Sequence, residues 1–493
     1  MHSVLTKKRT SEFNVRKTEL NPDCFNQSYT SLTINDQFPE TILRVVTNDI
    51  VEVVVKNSNK NNASTSVHFH RIYQLKTNYA DGVADGTVQD PFIVYETEDA
   101  LKNAEKRKQT HKMIQEGPYK YHDERILHWS EWWHQSFHDR LNFFLQPGFS
   151  GDKDPVGILL NKRSVHDDKS PSDNCPYFTV IDVKPNSIYR PRFIGALSYR
   201  VLGITISDHN MILNELNSEH FKSHLIDHLE LVPSQRYSVL IRNGNYMKST
   251  MFPISTHLKW RGIDGAGYSP NGYGYIRYMN DDSYASSITV AQKPVSLPNI
   301  MIPNVNGWIL SQLKLAIPGP ASILSASPSR TVKLAMQQIV LSNNITRFTS
   351  NGRLTKPWGT DAMSLLDKVR EDSAYGNLSS NGFSVKHQTY PINLGETVDI
   401  VFQNMRRSNG LCVAHPWHTH EFSHYLLAEG EGNYEHGQYR NVTTYHKPLR
   451  KDVSMQYPAP ANGTIPCSWT KVRVHMDNPG IWAVHCHIAG HMV

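Results

Sequence analysis

Three short runs of histidine, one of them wrapped around a cysteine, hold the residues best suited to chemistry in this sequence. They are His68-Phe69-His70, His415-Pro416-Trp417-His418-Thr419-His420, and His485-Cys486-His487 followed by His491. In an extended strand, residues two apart share a face and immediate neighbours point oppositely. One face then collects His68, His70, His418, His420, His485 and His487, and the other collects His415, Cys486 and His491. The second set, two imidazoles and a thiolate, is the donor set of a blue-copper electron-transfer site. Cys486 is one peptide unit from a histidine on either side. That bond path would suit electrons collected singly on one face and delivered to a metal cluster on the other.

A rival reading is a zinc hydrolase, because His420-Glu421-Phe422-Ser423-His424 fits the HExxH pattern. The pattern needs a helix to bring its two histidines onto one face. Here it overlaps the strand-like His418-Thr419-His420, and it leaves Cys486 and the other histidines unused. A single histidine is more often a surface or hydrogen-bonded residue than a ligand, and His424 is read that way. The composition agrees with metal or proton chemistry, with 25 His beside an ordinary charge balance of 51 Lys and Arg to 45 Asp and Glu.

The elements that must carry these residues read mostly as strands. Runs rich in Val, Ile, Thr and Tyr are broken by Asn, Gly, Pro and Asp every 8 to 12 residues or so. Such runs are Leu43 to Val55, with a turn at Asn48-Asp49, then Tyr177 to Val183, Tyr199 to Ile206, Tyr237 to Ile241, Ser287 to Ala291, Thr331 to Leu334, Thr397 to Phe402 and Lys471 to Met476. The spacing favours sandwich domains, and no glycine-rich phosphate loop follows any strand. Thr97 to Gln115 is charged and reads as a solvated loop or surface helix, and proline-rich Trp308 to Ser329 reads as a linker. With 493 residues, two or three domains are expected. Boundaries fall at 20–118, 119–310 and 325–493.

Other properties narrow the class. The net charge of +6 is spread thinly and forms no basic stripe with aromatics, so a nucleic-acid partner is not expected. No run of about eighteen apolar residues suggests a membrane span, and no signal peptide is visible at Met1 to Thr10. Five cysteines allow at most two disulfides with one thiol left over. Six glycosylation sequons begin at Asn26, Asn62, Asn344, Asn377, Asn441 and Asn462, and they permit secretion without showing it.

At these residues the chain resembles the multicopper oxidases, in their fungal laccase and ascorbate-oxidase-like branch. The similar stretches are Asn21-Pro22-Asp23-Cys24 with LTINDQFPETI (32–42), SVHFHRIYQLKTNYADG (66–82), ILHWSEWWHQS (126–136), HPWHTH (415–420) and DNPGIWAVHCHIAGH (477–491). The resemblance implies an all-β fold of three consecutive cupredoxin-like, Greek-key β-sandwich domains. It implies copper as cofactor, four ions in a complete member, with dioxygen and a small reducing substrate as partners and no obligate protein partner. The implied reaction takes electrons singly from a phenol- or ascorbate-like donor and reduces dioxygen to water in an extracellular setting. His415, Cys486 and His491 would be the blue-copper ligands, and His68 and His418 those of the single copper in the trinuclear cluster. His70, His420, His485 and His487 would hold the paired coppers. Asp81 matches an acid that manages protons during oxygen reduction, and Cys24 and Cys175 resemble a disulfide joining the first two domains.

The departures from the family pattern matter as much. Its second motif, a His-x-His in a Trp-Tyr-His-Ser-His setting, has no counterpart; His111, His122, His128, His134 and His138 lie in other contexts. Gly86 to Gln89 resembles text upstream of that motif and Pro91 to Val94 text downstream, so a block of the first domain reads as deleted near 89–91. Two of eight cluster histidines would go with it. The chain also reads as truncated at Val493, before the family's weak axial position, leaving the third domain incomplete. Fewer than four coppers are then expected, and a catalytically defective remnant is the alternative function. Three further differences lie close to the ligands. Glu421 stands where the pattern has Gly, Ala489 where it commonly has an acid, and Gly490 where it usually has Trp.

Overall fold

The computed structural model describes residues 7–38, 42–58, 65–74, 88–106, 113–149, 153–166, 175, 177–260, 271–279, 302, 304–354, 364–407, 410–458 and 467–492. Asp81, the strand expected at Ser287 to Ala291, and the sequons at Asn62 and Asn462 lie outside them. Strands dominate, and the chain divides into two compact units. One comprises Met1–Thr65, Asp85–Asn142 and Lys153–Pro303; the other comprises Ser66–Ala84, Phe143–Asp152 and Asn304–Val493. Among the described residues no helix is long and apolar enough to cross a membrane.

In the first unit, Lys8–Leu20 lies between Tyr29–Ile34, antiparallel, and Ile50–Asn57, parallel. The run from Leu43 breaks at Asn48, whose φ of 70° is a left-handed turn that Asn tolerates better than β-branched residues. Leu43–Val46 therefore leaves the Ile50–Asn57 strand and pairs in parallel with Phe92–Tyr95. The helix Glu98–Lys106 is more than a solvated connector. Its Ala100 and Leu101 pack on Val46, Ile93 and Tyr95.

A five- and a six-stranded sheet make up most of the rest of this unit. Thr179–Val183 alternates buried and half-buried residues, as expected of a strand with one face inward. Val201–Ile206 is buried at every position, since both its faces are covered. Trp129, Phe193, Leu213 and Val239 are fully enclosed, and each such side chain contributes about 1.5–3 kcal/mol by leaving water.

This unit also buries a charge cluster. Arg190 pairs with Glu116 and with Glu215 at 2.6 Å, while Arg192 pairs with Glu124 at 2.8 Å and Glu116 at 3.2 Å. Burial alone would raise the Glu215 carboxyl, yet Arg190 and Arg192 together bring it down to about 2. Attraction thus outweighs desolvation here, and losing one cation would leave buried carboxylates uncompensated.

The second unit is a two-sheet sandwich. One sheet runs Thr346–Ser350, Arg330–Val340, Thr397–Asn404, Ser468–His475, His424–Glu431, Leu449–Lys451. The other has His415–Thr419 at its centre, flanked by Val453–Gln456 and Val484–Cys486. Phe402 of the first sheet stacks on Trp417 of the second at 4.3 Å and 9°, which locks the two together. The segment from Trp308 is packed rather than loose, because Trp308, Leu310, Leu313 and Leu315 are all buried.

The helix that an HExxH zinc site needs is not formed. His415–Thr419 ends in a turn at Glu421, φ 64°, and His424 opens the next strand. His424 hydrogen-bonds Thr419 Oγ1 at 2.9 Å and Ser454 Oγ at 2.7 Å, so it is a core histidine. Two disulfides form within the units, Cys24–Cys175 in the first and Cys412–Cys467 in the second, and Cys486 is the remaining thiol. The first pairing agrees with the resemblance; nothing in the spacing of the sequence singles out the second.

Two substitutions test these accounts. Arg192→Met should destabilise the protein by about 3–5 kcal/mol, read as a lower urea midpoint, because Glu124 loses its cation and Glu116 keeps only Arg190. Burial, followed by the Lys451 charge, pulls the His424 imidazole down to about 3. In the window between that value and the ordinary range near 6.5, the unfolded chain binds a proton that the fold does not. Stability from this group is therefore present above about pH 6.5 and lost as pH falls toward 3. His424→Gln in the metal-free protein should lower the urea midpoint at pH 7 but flatten its decline between pH 6.5 and 4. Parallel pH curves for the two proteins would contradict the assignment.

Candidate metal centre

Register on one strand pair positions most of the candidate ligands. Val484–Cys486 runs antiparallel to His415–Thr419, with Cys486 opposite Trp417 and His485 opposite His418. Opposed residues share a face, so Cys486 joins Trp417 and His415, while His485 joins His418. The face bearing Trp417 meets Phe402 inside the sandwich. After Cys486 the chain closes into a short 3-10 turn, Ala489–His491, that returns His491 toward the cysteine.

On this inner face His415 Nδ1 and His491 Nδ1 lie 3.2 Å apart, and Cys486 Sγ is 3.6 Å from the first and 3.5 Å from the second. His415 and Cys486 are buried; His491 is partly open and rests on the Phe348 ring at 4.1 Å. A Cβ added at Gly490 would come within 3.3 Å of Phe149 and 3.4 Å of Phe144. Those rings fill the space where the family pattern would carry a larger residue.

The opposite face gathers six imidazoles. His68 Nε2 is 3.0 Å from His418 Nε2, and His420 Nε2 is 2.9 Å from His485 Nε2. The His68 and His420 rings stack at 3.8 Å, and His70 lies 4.3 Å from the His418 ring and 5.3 Å from that of His487. His68 and His70 reach this face from an irregular segment, not from the strand that their spacing suggests. Two donor triads, His68-His70-His418 and His418-His420-His485, each bring their ligand atoms within 4.8 Å of one another.

The electrostatics favour ligation. Burial first, then the crowding of His70 and His420, hold His418 far below its ordinary protonation range. Burial and His420 take His485 down to about 3, and burial with His485 lowers His487 strongly. Neutral imidazole is the ligating form, so these rings present lone pairs without first losing protons. Buried nitrogen donors beside a thiol suit copper chemically, and the all-imidazole group suits it equally.

Two residues outside the ligand set support the site. Asp452 is buried beneath the imidazoles; its carbonyl accepts from His418 Nδ1 at 2.9 Å, and its carboxylate lies 3.6 Å from His70 Nδ1. Such a partner fixes the ring and its tautomer. No spacing rule marks Asp452, although it directly precedes the strand paired with His415–Thr419. Glu421 sits at positive φ where the family pattern has Gly, a conformation that strains most side chains. Its carboxylate compensates by accepting from the Gln74 amide and from Asn478 Nδ2 at 2.8 Å, tying down the segment that carries His68 and His70.

Comparison with known proteins agrees with this geometry. Three family models, each described as multicopper oxidase, match residues 14–125, 123–280 and 355–493. The iron transport multicopper oxidase fio1 of Schizosaccharomyces pombe is 24% identical over 99% of this chain and 75% of its own length. The L-ascorbate oxidase of Cucumis sativus is 24% identical, covering 96% of this chain and 85% of that protein. The laccase-like multicopper oxidase 1 of Thermothelomyces thermophilus is 25% identical, over 88% and 78%. Among solved structures, Fet3p, a multicopper oxidase that functions in iron import, superposes with a TM-score of 0.73 at 19% identity, covering 99% of this chain and 89% of that one. The laccase of Botrytis aclada gives 0.73 at 17% identity, covering 99% and 86%. With an all-β chain of three cupredoxin-like domains and clustered His and Cys donors for copper, the protein belongs to the multicopper oxidase family.

Proposed function

We propose that this oxidoreductase takes electrons one at a time from phenol- or ascorbate-like donors through His491, His415 and Cys486. The observation that carries the reading is the His₂Cys group set back to back with six imidazoles across one strand. When bound, copper would supply one-electron transfer at the first group and, as a cluster at the second, four-electron reduction of dioxygen to water. His68 and His418 would hold the single cluster ion, and His70, His420, His485 and His487 the paired ones. Cys486 links the groups through one peptide unit on each side, to His485 and His487. Asp81 is proposed, from the family pattern alone, to handle protons.

Several features support the choice of donor and setting. Arg407 places Nη2 3.3 Å from His491 Nε2, a positive charge that disfavours a metal-cation donor and favours an anionic organic one. Two disulfides and the exposed sequons at Asn26, Asn344, Asn377 and Asn441 support an extracellular protein. The proposed domains are 20–118, 119–310 and 325–493.

A second reading, a partial copper binder without turnover, is favoured by one observation. The sequence supplies six cluster histidines in family context where the pattern has eight.

Copper-reconstituted protein should absorb near about 600 nm through its Cys–copper bond, and ascorbate or a phenol should bleach the band. Cys486→Ser should lack the band while melting like wild type; a band that persists would refute the role of Cys486. Copper count and oxygen uptake then separate the readings. The oxidase reading expects four coppers per chain and steady uptake. Fewer coppers, with bleaching that air does not reverse, would support the partial binder.

A further inference from the structure

In the first unit a second cluster of donors stands apart from the copper residues in composition and sequence. Asp23, His134 and His166 each offer one ligand atom, all within 4.8 Å of one another. Asp23 lies in the turn between Lys8–Leu20 and Tyr29–Ile34, His134 just beyond Asp123–Trp132, and His166 in the loop after Gly157–Leu160. Backbone bonds fasten these loops together: Ser164 N donates to Pro22 O at 3.0 Å and His166 N to Asp23 O at 2.7 Å.

The carboxylate is the informative group. Asp23 is only 1% exposed, and its Oδ2 lies 2.8 Å from His134 Nε2. Its other oxygen, Oδ1, is buried with no hydrogen-bond partner among the described residues. A buried carboxylate oxygen left unmatched is costly, and a cation is the partner that satisfies both oxygens at once. His134 is held ready for this. Phe25 stacks on its ring at 3.9 Å and Tyr29 at 5.1 Å, while His166 lies 4.9 Å away, ring to ring.

We propose that Asp23, His134 and His166 form a further metal site, for a zinc-type divalent ion, which fastens the Asp23 turn to the two neighbouring loops. Two imidazoles and one carboxylate are a borderline donor set that suits Zn²⁺ and lacks the thiolate of the blue-copper group. The site adjoins the Cys24–Cys175 disulfide, so a covalent and a coordinate fastening would secure the same turn. The inference does not depend on oxidase activity.

The test uses copper-loaded full-length protein equilibrated with Zn²⁺, desalted, and counted for both metals by mass spectrometry. Wild type should retain one zinc per chain more than Asp23→Asn, His134→Gln or His166→Gln. Zinc affinity should fall at least about tenfold in each variant. Asp23→Asn keeps the volume and a hydrogen bond to His134, so its copper content and circular dichroism should match wild type. The zinc X-ray absorption edge of wild type should show nitrogen and oxygen neighbours alone, a readout that stands even if a variant fails to fold. Equal zinc in wild type and Asp23→Asn would overturn the proposal and leave a metal-free Asp–His pair. A sulfur neighbour would also overturn it, by locating the zinc at Cys486.

Discussion

An extended strand cannot point neighbouring side chains the same way, and the candidate centre is organised around that constraint. His485, Cys486 and His487 alternate across one strand and its end, so the thiol and the imidazoles are forced to opposite faces. Pairing with His415–Thr419 carries the alternation onto a second strand, with Cys486 opposite Trp417 and His485 opposite His418. A slip of one residue would exchange the faces and dissolve both groups. The Phe402–Trp417 stack resists such a slip, because it fixes which face of the strand meets the sandwich interior. Packing in the core therefore sets the register, and register sets the chemistry.

The ligands that do not sit on strands need other fastenings. The segment carrying His68 and His70 is irregular, and Glu421 holds it through Gln74 while occupying a strained backbone position. Asp452 accepts from His418 beneath the same rings. Without metal, six imidazoles crowd together, and the low basicity of His418, His485 and His487 is the electrostatic result. Shared lone pairs aimed at a common space are unfavourable alone and favourable around a cation. This part of the fold is thus expected to be tightest when metal-bound.

How much of the site is legible in the sequence follows from the range of the interactions. Alternation within HPWHTH and HCHIAGH is local, so both faces and the return of His491 follow from residue spacing alone. The strands at Thr179–Val183 and Thr397–Asn404 are legible for the same reason. Asp452 and the Cys412–Cys467 bond are not, because each depends on contacts that no fixed spacing announces. The Asp23–His134–His166 cluster is hidden similarly, its members being drawn from three loops over more than a hundred residues. HExxH misleads in the other direction: its residues fit a pattern whose helix is displaced because His415–Thr419 and His424–Glu431 are strands of two different sheets. Trp308 to Leu315 resembles a linker by the prolines that follow it, but its apolar residues are buried.

The central claim is that one strand separates two metal groups with Cys486 joining them. Anomalous diffraction from a copper-loaded crystal, collected above and below the copper edge, tests it most directly. The account predicts one peak enclosed by His415, Cys486 and His491, and at least one more among His68, His70, His418, His420, His485 and His487. Copper found on only one side of the Val484–Cys486 strand, or bound away from Cys486, would contradict it.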